Sequence, residues 1–170
     1  FVVGTFSKTL GAIGGFCVSD VEGFEALRVA TRAYMFTASL PPSIVASVRA
    51  ALKIVRKDGA TLRKRLWDNV ATLYDGLAKA GFRLGPEHGP VVAVVMPDQM
   101  TTVGVWQALM ETGIYVNVAV PPATLSGLCL LRCSLSAAHS RGQLQHMVEV
   151  LAEVGHRFGV LPQARSAAVA

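Results

Sequence analysis

The sequence predicts an α/β chain of two units: the back end of a larger α/β domain over residues 1–57 and a small α+β domain over residues 58–160. Three observations predict it. Apolar runs of strand length alternate with segments of helical period along the whole chain. The 170 residues are 52% hydrophobic and 16% charged, which calls for a sizeable buried core. The opening stretch, "FVVGTFSK", reads as a strand entered midway, so the N-terminal part of the larger domain is expected to lie outside these residues.

Residues 1–6 and 14–18 ("GGFCV") read as short buried strands flanking a loop. Residues 20–33 carry Phe24, Leu27 and Ala30 at helical spacing. "YMFTASLPPS" (34–43) breaks that pattern, since paired prolines open a helix but do not sit inside one. The helix they open presents Ile44, Val45, Val48, Leu52 and Val55 on one face. "RKDG" (56–59) marks a change of element and the boundary between units. A long helix follows, with Leu62, Leu66, Val70, Leu73 and Leu77 as its stripe. "AGFRLGPEHGP" (80–90) is a loop rich in Gly and Pro.

"VVAVVMP" (91–97) is a strand, "VGVWQALMETG" (103–113) a helix stopped by Gly113, and "IYVNVAV" (114–120) a strand of strong β propensity. "LCLLRCSLS" (128–136) is a further strand. Ser140 followed by Gln143 is a capping-box signature, and the helix it opens shows Leu144, Met147, Val148, Leu151 and Val154. Residues 161–170 have little to bury and are expected to form a mobile tail.

Composition excludes several function classes. No apolar run reaches the length of a membrane span. The net charge of +5 fits an anionic partner such as a phosphorylated cofactor or substrate. Nucleic acid is not expected. The basic cluster "RKDGATLRKR" (56–65) has no interleaved aromatics and reads as an exposed helix start. Cys17, Cys129 and Cys133 make no disulfide framework in so long a chain, and no histidine stands at metal-ligand spacing. Buried free thiols, a reducing cytoplasmic compartment and no metal are the expectation.

The chemistry concentrates in "GTFSKTLGAIGG" (4–15). A phosphate-binding P-loop needs glycine directly before the lysine and again five residues earlier, where Ser7 and Val2 stand. "GAIGG" is followed by a strand where a dinucleotide fingerprint needs a helix. A Schiff-base lysine does fit. Its amine attacks a carbonyl only when neutral, which burial beside an apolar strand favours. Thr5 and Ser7 would hold a phosphate without adding charge. Pyridoxal phosphate (PLP) needs both an amine partner and a phosphate cradle. The plain alternative is a surface lysine in a turn.

"GTFSKTLGAIGGF" resembles the cofactor-lysine segment of the α-oxoamine synthases, PLP-dependent transferases of fold type I. "YMFTASLPPS" is similar to the loop that follows it in that family. "VNVAVPPATLSGLCLLRCSLSAAH" is similar to the segment that holds the substrate carboxylate. The resemblance spans roughly residues 1–160. It implies that Lys8 binds the cofactor aldehyde and moves protons at the substrate Cα, and that Thr5 and Ser7 bind the cofactor phosphate. Thr37 would reach the phosphate of the neighbouring subunit in a homodimer. Arg132 would grip the substrate carboxylate, a task suited to a planar fork that keeps its charge.

The implied reaction condenses an amino acid, L-serine in the members these motifs most resemble, with a long-chain acyl-CoA. CO2 and CoA leave, and the 3-keto amine begins sphingolipid synthesis. Its lipid product implies a peripheral membrane contact. The alternatives are a member using glycine or alanine and a non-catalytic partner subunit. Val120 departs from the pattern, because the serine-utilising members and several relatives carry arginine there, a residue the resemblance implies helps orient the substrate carboxylate. The family's aspartate at the pyridine nitrogen and its ring-stacking histidine lie upstream of the lysine, outside these residues.

Overall fold

The computed structural model describes residues 1–86, 88–124 and 127–162. The chain divides into two compact units, Phe1–Ala60 and Thr61–Ala170.

The first unit opens with β1 (Val2–Thr5), which pairs antiparallel with β2 (Gly15–Val18). Phe6 N–H closes the intervening loop on the Gly14 carbonyl at 2.9 Å. Gly14 has φ 95°, and a Cβ there would lie 2.7 Å from Leu40 Cδ2, so the position demands glycine. The expected burial of these strands is overturned: Val2 is 61% and Val3 75% exposed. A two-stranded ribbon covers neither of its own faces, and no described residue buries either strand.

Residues 20–33 are not one helix. A 3-10 turn (Phe24–Ala26), α1 (Leu27–Ala30) and α2 (Arg32–Met35) replace it. Thr31 stands extended between α1 and α2 (φ −83°, ψ 105°), which breaks the helical period. α3 then runs unbroken from Pro42 to Ala80, 39 residues. Pro42 is its first residue, where a missing N–H costs nothing. The expected break at residues 56–59 is therefore absent, and the basic cluster lies mid-helix rather than at a helix start. One interior glycine costs only about 1 kcal/mol, too little to end a helix flanked by Arg56, Lys57, Ala60 and Leu62. The helix stops at Gly81 (φ 98°), with Phe82 N–H reaching back to the Leu77 carbonyl at 3.1 Å.

In the second unit, β3 (Val91–Met96), β4 (Asn117–Ala119) and β5 (Cys129–Ser134) form an antiparallel sheet in the order β3-β5-β4. β4 is shorter than the expected 114–120. α4 (Gln99–Glu111) starts at Gln99 rather than Val103, because Asp98 caps it: Thr101 N–H donates to Asp98 Oδ1 at 2.8 Å. α5 (Arg141–Arg157) opens on the expected capping box of Ser140 and Gln143. One face of the sheet carries the core. Val92, Val94, Leu131 and Cys133 pack with Leu73 and Leu77 of α3, Leu109 of α4 and Leu151 of α5. Leu161, assigned to the tail by composition, is 2% exposed and belongs to this core. Residues 163–170 of the expected tail lie outside the described residues.

Leu131 is fully buried on the central strand. Leu131→Ala is expected to lower the unfolding free energy by about 2–5 kcal/mol through lost transfer energy and a cavity. Urea unfolding followed by circular dichroism measures it; a loss under about 0.5 kcal/mol, the range of an ordinary surface change, contradicts the packing.

Candidate functional site

Two groups of residues carry the candidate chemistry, one in each unit. In the first, the hairpin of β1 and β2 holds Thr5, Ser7 and Lys8 together in one tight loop. Thr5 Oγ1 and Ser7 Oγ lie 2.9 Å apart. Ser7 N–H donates to Thr5 Oγ1 at 3.2 Å, and the Lys8 carbonyl accepts from Gly11 N–H at 3.0 Å. The backbone thus fixes the lysine while its side chain stays exposed, not buried as expected. Neither ion pair among the described residues involves Lys8.

That donor set suits PLP. A free amine serves the aldehyde, and two adjacent hydroxyls serve the phosphate, with no acid among residues 1–19 to repel it. Thr37 is placed differently. Its hydroxyl donates to the Tyr34 carbonyl at 2.8 Å and its N–H to the same oxygen at 3.1 Å. Thr37 closes the end of α2 rather than capping α3. With Arg28 and Tyr34 it lines a recess of about 770 Å3 in this unit.

The second group lies on the open face of the sheet. β5 alternates: Cys129, Leu131 and Cys133 are buried, and Arg132 points the other way and is exposed. Arg132 stands on the central strand, opposite Ala93 of β3 and Asn117 of β4. Neither neighbour is charged, and neither ion pair of the described residues reaches it. Val120 follows β4, is half-buried and packs against the core cluster. It offers no charge.

Cys129 and Cys133 are buried free thiols, as expected, whereas Cys17 on β2 is exposed. Asn117 is a site-face residue that the sequence reading passed over. The signal was present in "IYVNVAV", where Tyr115 and Asn117 alternate with Val116 and Val118.

The aminotransferase class I and II family matches residues 1–151. Serine palmitoyltransferase (SPT) of Caulobacter vibrioides is 49% identical over 161 residues, covering 95% of this chain and 40% of the relative. 8-amino-7-oxononanoate synthase of Geobacter sulfurreducens is 33% identical over 160 residues, 94% of this chain and 41% of that one. A solved structure of SPT with its PLP internal aldimine superposes with a TM-score of 0.88 at 46% identity, over 94% of this chain and 40% of that chain. The chain thus spans about two-fifths of the length of the relatives it matches.

Burial pushes the Cys133 thiol up to about 12. The thiol therefore stays neutral, and unreactive as a nucleophile, around neutral pH. Pulse alkylation at pH 8 with peptide mass mapping is expected to leave Cys133 unmodified until denaturant is added. Rapid native labelling of Cys133 contradicts the strand assignment.

Proposed function

This chain belongs to the class I and II aminotransferase family, and we propose that it forms the cofactor-lysine and carboxylate-holding part of a PLP-dependent C-acyltransferase. The enzyme joins L-serine to a long-chain acyl-CoA with loss of CO2 and release of CoA, the opening step of sphingolipid synthesis. The observation that carries this reading is the loop of Thr5, Ser7 and Lys8, where a free amine and two paired hydroxyls share one hairpin. The 49% identity to an SPT across 95% of the chain supports the choice of substrates. No described helix is long and apolar enough to cross a membrane.

Bound PLP would supply an electron sink for negative charge developing at the amino acid Cα. Lys8 Nζ would hold the cofactor through its aldehyde and, once released, move the proton at Cα. The hydroxyls of Thr5 and Ser7 donate to the cofactor phosphate. Arg132 pairs its guanidinium with the substrate carboxylate, two parallel N–H donors meeting two oxygens. In a homodimer, Thr37 donates to the phosphate held by the neighbouring subunit, which requires its hydroxyl to turn away from the Tyr34 carbonyl.

Val120 favours a second reading. The arginine that serine-utilising members and several relatives carry there is absent, which leaves Arg132 to anchor the carboxylate and keeps open a member of the family that uses glycine or alanine. A non-catalytic partner subunit is disfavoured by the retention of both Lys8 and Arg132.

In the full-length protein, Lys8→Ala is expected to abolish the visible absorbance of lysine-bound PLP. It also removes the borohydride-fixed cofactor mass from the peptide that contains residue 8. A fixed cofactor on a different lysine in the unmutated protein overturns the assignment.

A further inference from the structure

We propose that Asn117 is a second substrate-binding residue: its amide N–H group donates to the carboxylate that Arg132 holds, and Tyr115 is the positioning residue that sets its orientation. The inference rests on the reading of Arg132 as the carboxylate anchor and deepens it.

The register places Asn117 directly opposite Arg132. Directly paired residues on antiparallel strands have Cβ atoms about 4.5–5.5 Å apart on the same face, so one small anion can touch both side chains. Both are exposed on the open face. On the other flank of Arg132 the sheet presents Ala93, and beyond it Gly85, whose N–H donates to the Ala93 carbonyl at 2.8 Å. A methyl group and a bare glycine leave room on that side and offer no side-chain donor. Directly across from Arg132 the polar side chain is therefore on the β4 side, while Ser134 lies two residues along β5 on the same face.

The amide is also set the right way round. Tyr115 Oη donates to Asn117 Oδ1 at 3.1 Å. The amide oxygen is thus engaged, and the lone pairs that would repel an anion are turned to a donor. Nδ2 keeps its two N–H donors, and no hydrogen bond within the described residues uses them. A carboxylate has about four lone-pair sites, and a bidentate arginine uses two. One Asn117 N–H fills a third. Asn117 faces no acid across the strand pair, so its donors meet no competing intramolecular anion.

The test is a titration of the full-length PLP-loaded protein with two ligands, read by the absorbance of the bound cofactor. L-serine carries the carboxylate; ethanolamine is the same amine and alcohol without it. Asn117→Ala is expected to weaken L-serine about tenfold, the size of one hydrogen bond to a charged group, and to leave ethanolamine unchanged. Asn117→Asp weakens L-serine further, because a carboxylate opposite Arg132 competes for the guanidinium. Tyr115→Phe weakens L-serine by less than Asn117→Ala, again without effect on ethanolamine. Arg132→Ala weakens L-serine by about thirtyfold or more and spares ethanolamine.

The outcomes separate the two claims. If Arg132→Ala leaves L-serine affinity unchanged, the reading of the anchor fails. If Arg132→Ala acts and Asn117→Ala does not, the anchor stands and Asn117 is removed from the site. Equal losses for both ligands in Asn117→Ala make its role structural and overturn the proposal. Unchanged L-serine affinity in Tyr115→Phe removes Tyr115 from its positioning role.

Discussion

The pairing of β5 between β3 and β4 is the constraint on which the second unit depends. Side chains alternate along a strand, so the register that buries Leu131 and Cys133 also turns Arg132 outward. A slip of one residue would bury the guanidinium and expose the core set. The cost of burying an unpaired charge therefore reinforces the hydrophobic term in holding the register. The helices follow from the same choice. α4, α5 and the C-terminal half of α3 cover the apolar face, and among the described residues the other face leaves Arg132 and Asn117 exposed.

The first unit rests on local rules. A short ribbon and a loop closed by backbone hydrogen bonds place two hydroxyls beside a lysine. Gly14 holds the positive φ of 95° that the loop needs, with the Leu40 side chain packed over it. Both candidate cations, Lys8 and Arg132, are free of carboxylate partners among the described residues. Each is thus available to an external carbonyl or anion.

Much of this was legible from residues alone. Strands β1, β2, β3 and β5, the capping box at Ser140 and the stripe of α3 and α5 follow from periodicity and caps. What was not legible has physical causes. Gly59 looked like a boundary, but its cost is small against the cooperativity of a 39-residue helix. Asp98 fell between the expected strand (91–97) and the expected helix (103–113) and was given no role, although its side chain caps α4 and its carboxyl is held below the usual range by the Thr101 N–H and hydroxyl. The burial of β1, β2 and Lys8 was inferred from the apolar runs they sit in. Exposure, however, depends on what packs against an element, which local sequence does not state. Lys8 and Arg132 stood out because a single cation in an apolar run is conspicuous. Asn117 did not, since its importance comes from a cross-strand register that joins residues far apart in the chain.

The most direct measurement follows carboxyl-labelled amino acids through the full-length protein. Labelled CO2 is expected from carboxyl-labelled L-serine only when a long-chain acyl-CoA is present, with CoA released in equal amount. Acyl-CoA-dependent release from glycine or L-alanine, and not from L-serine, would shift the substrate. No release from any of the three with saturating PLP would contradict the account of the chain as part of an acyltransferase.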